Sequence, residues 1–214
     1  MLRSKTIFAI LLALSFLSNR AQGDMSLKIF ERRRVIGYAI VSEDEAERIN
    51  DNKLYVEESA SPTQLGNGFI IVSEISKEMR GEENWYCAVQ ANKNKLKNID
   101  KAYIPKSYKK RTWPEERNLW GEGEKAIVRY LWSISFVRKP FAALRFSWVK
   151  GTTNQQMQML IPTKVVNNGG LDLSVQCFES EDELKRFSDD VVDWGDSEVW
   201  DIKGNLGIPG ALSS

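Results

Sequence analysis

The sequence predicts an α+β fold, and three observations carry that expectation. Two capping boxes and one apolar stripe at helical spacing mark helices. Six short runs rich in β-branched and aromatic residues, bounded by Gly, Pro, Asn or Lys, mark strands. The two kinds of element are mixed without the regular alternation of a doubly wound sheet.

Residues 1–23 read as a secretory leader. Arg3 and Lys5 precede an apolar run from Ile7 to Leu17, which closes on Ala21-Gln22-Gly23. The run is shorter than the roughly 20 residues that a membrane span needs, so a secreted, extracellular protein with no membrane partner is expected. The remaining 24–214 form one domain, long enough for a proper core and without repeat, low-complexity block or linker.

Along that domain the strand candidates are 35–41, 68–72, 85–90, 143–149, 157–161 and 171–177. Ser42-Glu43-Asp44-Glu45 opens a helix to about Asn50, and Ser180-Glu181-Asp182-Glu183 opens another with Leu184, Phe187 and Val191 on one face. Between them, 124–135 places Ile127, Tyr130, Leu131 and Ile134 on a helical stripe. Seven tryptophans leave room for an exposed aromatic patch, with core packing expected for Trp85, Trp132 and Trp148.

Composition narrows the chemistry. Loss of the leader removes three of 30 basic residues against 29 acidic ones, tipping the formal charge from +1 to −2. That balance argues against a nucleic-acid partner. Arg32-Arg33-Arg34 and Lys109-Lys110-Arg111 read as solvated charge, with processing or a phosphate contact as the other option for each. The chain has no histidine, which excludes Ser-His-Asp and Cys-His catalysis, and no metal site is expected. Cys87 and Cys177 are an even pair in a secreted chain, which favours one disulfide over two buried thiols. No Gly-rich phosphate loop follows any strand, and there is no N-glycosylation sequon.

Three segments in order carry a resemblance: Val35-Ile36-Gly37-Tyr38, then Gln64-Leu65-Gly66-Asn67-Gly68-Phe69 with Trp85 to Val89 behind it, then Gln156-Met157-Gln158-Met159-Leu160-Ile161-Pro162. Together they resemble the ADP-ribosyltransferase superfamily, in particular its small secreted fungal members, with the catalytic motifs degenerate. The resemblance implies two small packed β-sheets with flanking helices around an NAD-type cleft. It implies cofactor-binding roles for Gly37, Tyr38, Gly66, Gly68 and Phe69. It also implies that Ile36 stands at the arginine position, and that Gln156 and Gln158 stand at the two glutamate positions.

A neutral Gln158 cannot stabilise the oxocarbenium-like cation formed when the nicotinamide bond breaks, and Ile36 cannot grip cofactor phosphates. The expected reading is therefore a monomeric effector, delivered towards a host and inactive as an enzyme, that binds a host protein. It carries no cofactor, or NAD if the cleft persists. Two other readings stay open. One is an active transferase in which Arg34 and either Glu122 or Glu124 replace the missing groups. The other is a carbohydrate- or wall-binding protein. The plain structural reading of Glu124 is a helix-start acid favouring the dipole, and that of Gly66 and Gly68 is a turn.

Overall fold

The computed structural model describes residues 32–51, 53–57, 63–76, 79, 81, 83–109, 115–149 and 156–204, so the leader, Lys110 and Arg111 lie outside the described residues. The chain divides into Met1–Arg34 and Val35–Ser214, and the second unit carries the core.

The α+β expectation holds. The strands are β1 (Arg33–Ser42), β2 (Gly68–Val72), β3 (Asn84–Asn92), β4 (Lys101–Tyr103), β5 (Ser107–Tyr108), β6 (Arg117–Asn118), β7 (Leu144–Trp148), β8 (Met157–Pro162) and β9 (Ser174–Phe178). The helices are α1 (Glu43–Asp51), α2 (Lys93–Asn98), α3 (Glu124–Leu131), α4 (Thr163–Asn167) and α5 (Glu181–Phe187). Seven strands form one mixed sheet in the order β4-β7-β8-β2-β1-β3-β9, and β5-β6 is a separate ribbon. This differs from two small sheets of similar size. β2 lies between β1 and β8, with Val72 opposite both Tyr38 and Gln158, so the three strands belong to one sheet.

Both capping boxes form, with Ser42 Oγ accepting from Glu45 N at 3.4 Å and Ser180 Oγ from Glu183 N at 3.3 Å. Helix α3 stops at Leu131, four residues short of the expected end. The chain then tightens into turns in which Ser133 N and Ile134 N bond carbonyls three residues back, and Ser133 Oγ also donates to Tyr130 O at 2.6 Å. Val191, expected on the buried face of α5, lies past the helix end at Phe187 and is exposed.

Three short strands and two short helices escaped the sequence reading. Strand β4 begins at Lys101, whose charge hides a buried position. Its ammonium donates to Leu96 O at 2.6 Å and Ile99 O at 3.1 Å, and burial holds its pKa below the ordinary lysine value despite Asp201 and Asp100. Helix α2 is capped by Asn92, whose side chain accepts from Asn94 N and Lys95 N.

Two core clusters pack against the sheet. Directly opposed residues of neighbouring strands project from the same face, so Ala102, Arg145 and Leu160 share one face while Tyr103, Phe146 and Met159 share the other. The first face packs under α3 against Ile127, Leu131 and Leu65. The second joins the larger core, where Phe146, Trp194 and Trp200 meet edge to face with centroids 5.4–6.3 Å apart.

Both outer strands meet other parts of the chain on their free edges. On β9, Asn50 Nδ2 donates to Cys177 O at 3.0 Å and Asn50 Oδ1 accepts from Cys177 N at 2.9 Å. On β4, Tyr103 N donates to Lys203 O at 2.8 Å and Lys203 N to Lys101 O at 2.9 Å.

Cys87 and Cys177 are disulfide-bonded, as expected. They sit directly opposite each other on β3 and β9. Because both backbone groups of Cys177 turn outward to Asn50, this is a non-hydrogen-bonded pair, the closer of the two antiparallel kinds, with Cα atoms 3.9 Å apart. The bridge spans 90 residues of chain. Replacing both cysteines by alanine is expected to cost about 4 kcal/mol on the chain-entropy account. Chemical denaturation checks the loss, and intact-mass analysis showing two free thiols in the native protein would refute the bridge.

Candidate functional site

Strands β7, β8, β2 and β1 align Ser147, Gln158, Val72 and Tyr38 in one row across one face of the sheet. Gln158 is buried, and its Nε2 donates to Ser147 Oγ at 3.2 Å. Gln64 Nε2 reaches the same hydroxyl at 2.9 Å and Trp148 O at 2.8 Å. Gln156, two residues earlier on the same face, donates to Glu74 O at 2.7 Å. At the far end of the row the Tyr38 hydroxyl donates to Asp190 O at 2.7 Å and bonds Ser188 Oγ at 2.9 Å. Burial raises the Tyr38 pKa, which Ser188 opposes and Asp190 and Asp189 reinforce. Beside it opens a cavity of about 250 Å³ lined by Tyr38, Glu74, Glu181, Leu184, Lys185 and Asp189.

The residues singled out in the sequence are only partly gathered by this geometry. Ile36, Gly37 and Tyr38 on β1 lie one strand away from Gln158 on β8 and from Gln156 just before it, with β2 between. Ile36 is fully buried, and its carbonyl accepts Trp194 Nε1 at 3.0 Å. Gly37 has a φ of +155°, and a Cβ there would press on Val72 O at 2.7 Å. Gly66, Gly68 and Phe69 lie at the other end of β2, where Gly68 is opposite Pro162. Phe69, paired with Ile161, points to the opposite face from Tyr38 and is buried in the larger core. The five residues Gly37, Tyr38, Gly66, Gly68 and Phe69 therefore do not line one cleft.

The sequence reading missed the strongest polar contact near these segments. Arg145, fully buried near the start of β7, makes a two-pronged bond to Glu124: Nη1 to Oε2 and Nη2 to Oε1, each at 2.6 Å. Glu124 Oε2 also accepts from Asn67 N at 2.9 Å, and Arg145 Nη1 donates to Leu65 O at 2.9 Å. The pair thus clamps the Leu65-Gly66-Asn67 turn. Gly66 has a φ of +90°, and a Cβ would overlap Glu124 Oε2 and Arg145 Nη1. A lone cation inside the apolar run Leu144-Arg145-Phe146 was the available sequence clue.

Glu124 is therefore more than a helix-start acid, since its carboxylate leaves the helix for Arg145. Nor does it stand across an open cleft from a guanidinium, because the two groups touch. Glu122 is exposed, at a rim it shares with Arg117 and Arg129, and Arg34 lies in β1 two residues before Ile36. Among the described residues no group of three or more His, Cys, Asp or Glu side chains is placed to hold a metal.

Trp132 corrects the expectation of core packing. The α3 stripe centres on Ile127 and Leu131, and Trp132 falls beyond its edge, at the helix C-cap, with 63% of its surface exposed. It meets Phe141 edge to face at 6.4 Å, and Lys164 Nζ lies 5.6 Å from the Phe141 centroid. Phe136, on the same loop, is also exposed and has Lys203 over its ring. Trp85 and Trp148 are half-buried against the larger core.

Burial alone would push the Glu124 carboxyl up, but the bonds and charge of Arg145, with the Asn67 amide, hold it below its ordinary 4.5. The unfolded chain takes up this proton more readily. The stabilisation is therefore complete above about pH 4.5 and is lost as pH falls through the lower folded value. Glu124→Gln would leave Arg145 buried without a counter-ion, costing about 2 to 4 kcal/mol at neutral pH after allowance for the exposed side of Glu124. Thermal melts from neutral to acid pH check this, and the gap between wild type and variant should narrow on acidification. Gly66→Ala should destabilise by about 2 kcal/mol or more by the same assay.

No curated protein matches the chain. A family model described as a family of unknown function, DUF5910, matches residues 63–205, about two thirds of the chain, which spans the clamp, β8 and the disulfide. The chain belongs to this family of unknown function, DUF5910.

Proposed function

We propose that this chain is a secreted effector with an ADP-ribosyltransferase-like arrangement of motifs, catalytically inactive, that acts by binding a host protein. The observation that carries the reading is the row on β8 and β1. At the positions where the resemblance calls for carboxylates, Gln158 and Gln156 are neutral and buried, and their amides are committed to Ser147 and to Glu74 O. Ile36 offers no charge to a cofactor phosphate. At the glutamine positions a developing ribose cation would meet neutral side chains in place of the carboxylates that lower such a barrier.

The active-transferase alternative required an arginine and a carboxylate facing each other beside Tyr38 and Phe69. The Arg145–Glu124 pair is closed on itself beneath Gly66, which favours the binding reading. The disulfide suits an oxidising compartment. No helix among the described residues is long and apolar enough to cross a membrane.

The purified mature protein is expected to release no nicotinamide from NAD above the uncatalysed background. The protein carrying Ile36→Arg and Gln158→Glu serves as the comparison. Turnover by the wild type would overturn the reading.

A further inference from the structure

We infer that the basic groove between α2, the turn at residues 138–142 and the end of α4 receives an extended acidic segment of the partner protein, with the neighbouring aromatic loop as its apolar anchor. This deepens the binding-protein reading and rests on it.

The groove holds about 510 Å³ and is lined by Lys95, Arg138, Lys139 and the apolar Ile99, Ala142 and Val165. Its one lining carboxylate is Asp100, which is already committed. Asp100 Oδ2 accepts from Arg138 N at 2.9 Å and Lys139 N at 2.8 Å, and Oδ1 lies 3.8 Å from Arg138 Nε. These bonds fix the turn that presents both cations, and Arg138 has 81% of its side chain in solvent. Lys164, next to Val165, adds a further charge over Phe141. In a chain whose formal charge is only +1, this is a local concentration of one sign, and charge complementarity selects an acidic occupant.

The aromatic side chains continue the same surface. Phe141 adjoins Ala142 on the groove wall and meets exposed Trp132 edge to face. A second groove of about 490 Å³ shares Asn98, Ile99, Asp100 and Arg138 with the first and reaches exposed Phe136. In that second groove Lys203 is paired with Asp201 at 2.7 Å, so the excess charge lies on the Lys95–Lys139 side. A rigid aromatic beside fixed cations is the composition of an interface hot spot, and an acidic strand with alternating apolar side chains fits it. None of these residues belongs to the β1–β8 row.

The probe is a fluorescein-labelled peptide of glutamates interrupted by leucine and tyrosine, titrated with the disulfide-intact protein by fluorescence anisotropy. Its counterpart with glutamine for every glutamate is the control. The acidic peptide is expected to bind and the counterpart not to, with affinity falling as salt rises. A triple variant, Lys95→Gln, Arg138→Gln and Lys139→Gln, should weaken binding about tenfold or more, with its melting temperature confirming an intact fold. Trp132→Ala with Phe141→Ala should weaken it independently.

Equal binding by the triple variant, equal binding of the glutamine counterpart, or no binding of the acidic peptide would each overturn the inference. So would binding to phosphatidylserine vesicles in place of the peptide. Nicotinamide release is measured on the same preparation. Turnover with peptide binding retained would remove the inactive-effector reading and leave the groove standing.

Discussion

The sheet of this protein is organised around one buried charge. Arg145 sits on the face of β7 that packs under α3, where an unpaired guanidinium would be severely destabilising. Glu124 neutralises it from the first turn of α3, Leu65 O accepts from the guanidinium, and Asn67 N donates to the carboxylate. The bonds therefore tie together a strand, a helix and the turn that leads into β2. Once β2 is fixed, its pairing with β8 and β1 sets the row that runs from Ser147 to Tyr38. The glycine in that turn follows from the same constraint, because no side chain fits between the backbone and the ion pair.

The row itself illustrates how neutral polar groups can replace charges without leaving bonds unmade. Ser147 Oγ accepts from two glutamine amides, and Gln156 caps a carbonyl at the end of β2. An amide supplies donor and acceptor together, so these side chains knit the face into the fold. A carboxylate in the same surroundings would need its own counter-charge. Exposed cations and aromatic rings gather elsewhere, around 132–142.

Much of the fold was legible in the sequence because it rests on local rules. Ser42 and Ser180 announced their helices through capping geometry, and β2 and β8 through short apolar runs ended by turn residues or proline. The disulfide followed from cysteine count and compartment. What stayed hidden depended on contacts distant in sequence. Lys101 carries no sequence mark of burial, since it takes the structure to show two carbonyls of its own neighbourhood accepting its ammonium. Glu124 read as a helix-start acid because its partner lies 21 residues on, across a helix and a turn. Trp132 read as core because a helical stripe does not reveal where the helix stops. The site was misjudged for a related reason. Phe69 and Tyr38 belong to adjacent strands, yet the alternation of the pleat sends them to opposite faces, and only the pairing register reveals which.

The closure of both outer strands has a consequence for how the molecule can be engaged. Strand addition needs a run of free backbone donors and acceptors. At Cys177 the Asn50 amide already plays the part of a neighbouring peptide, and along β4 the segment around Lys203 lies where a guest strand would. An incoming chain would have to displace these groups to pair at those positions. Recognition is thereby diverted away from main-chain templating, which is indifferent to sequence, and towards contacts that depend on the identity of side chains. The same contacts hinder edge-to-edge pairing between copies of the chain at these positions.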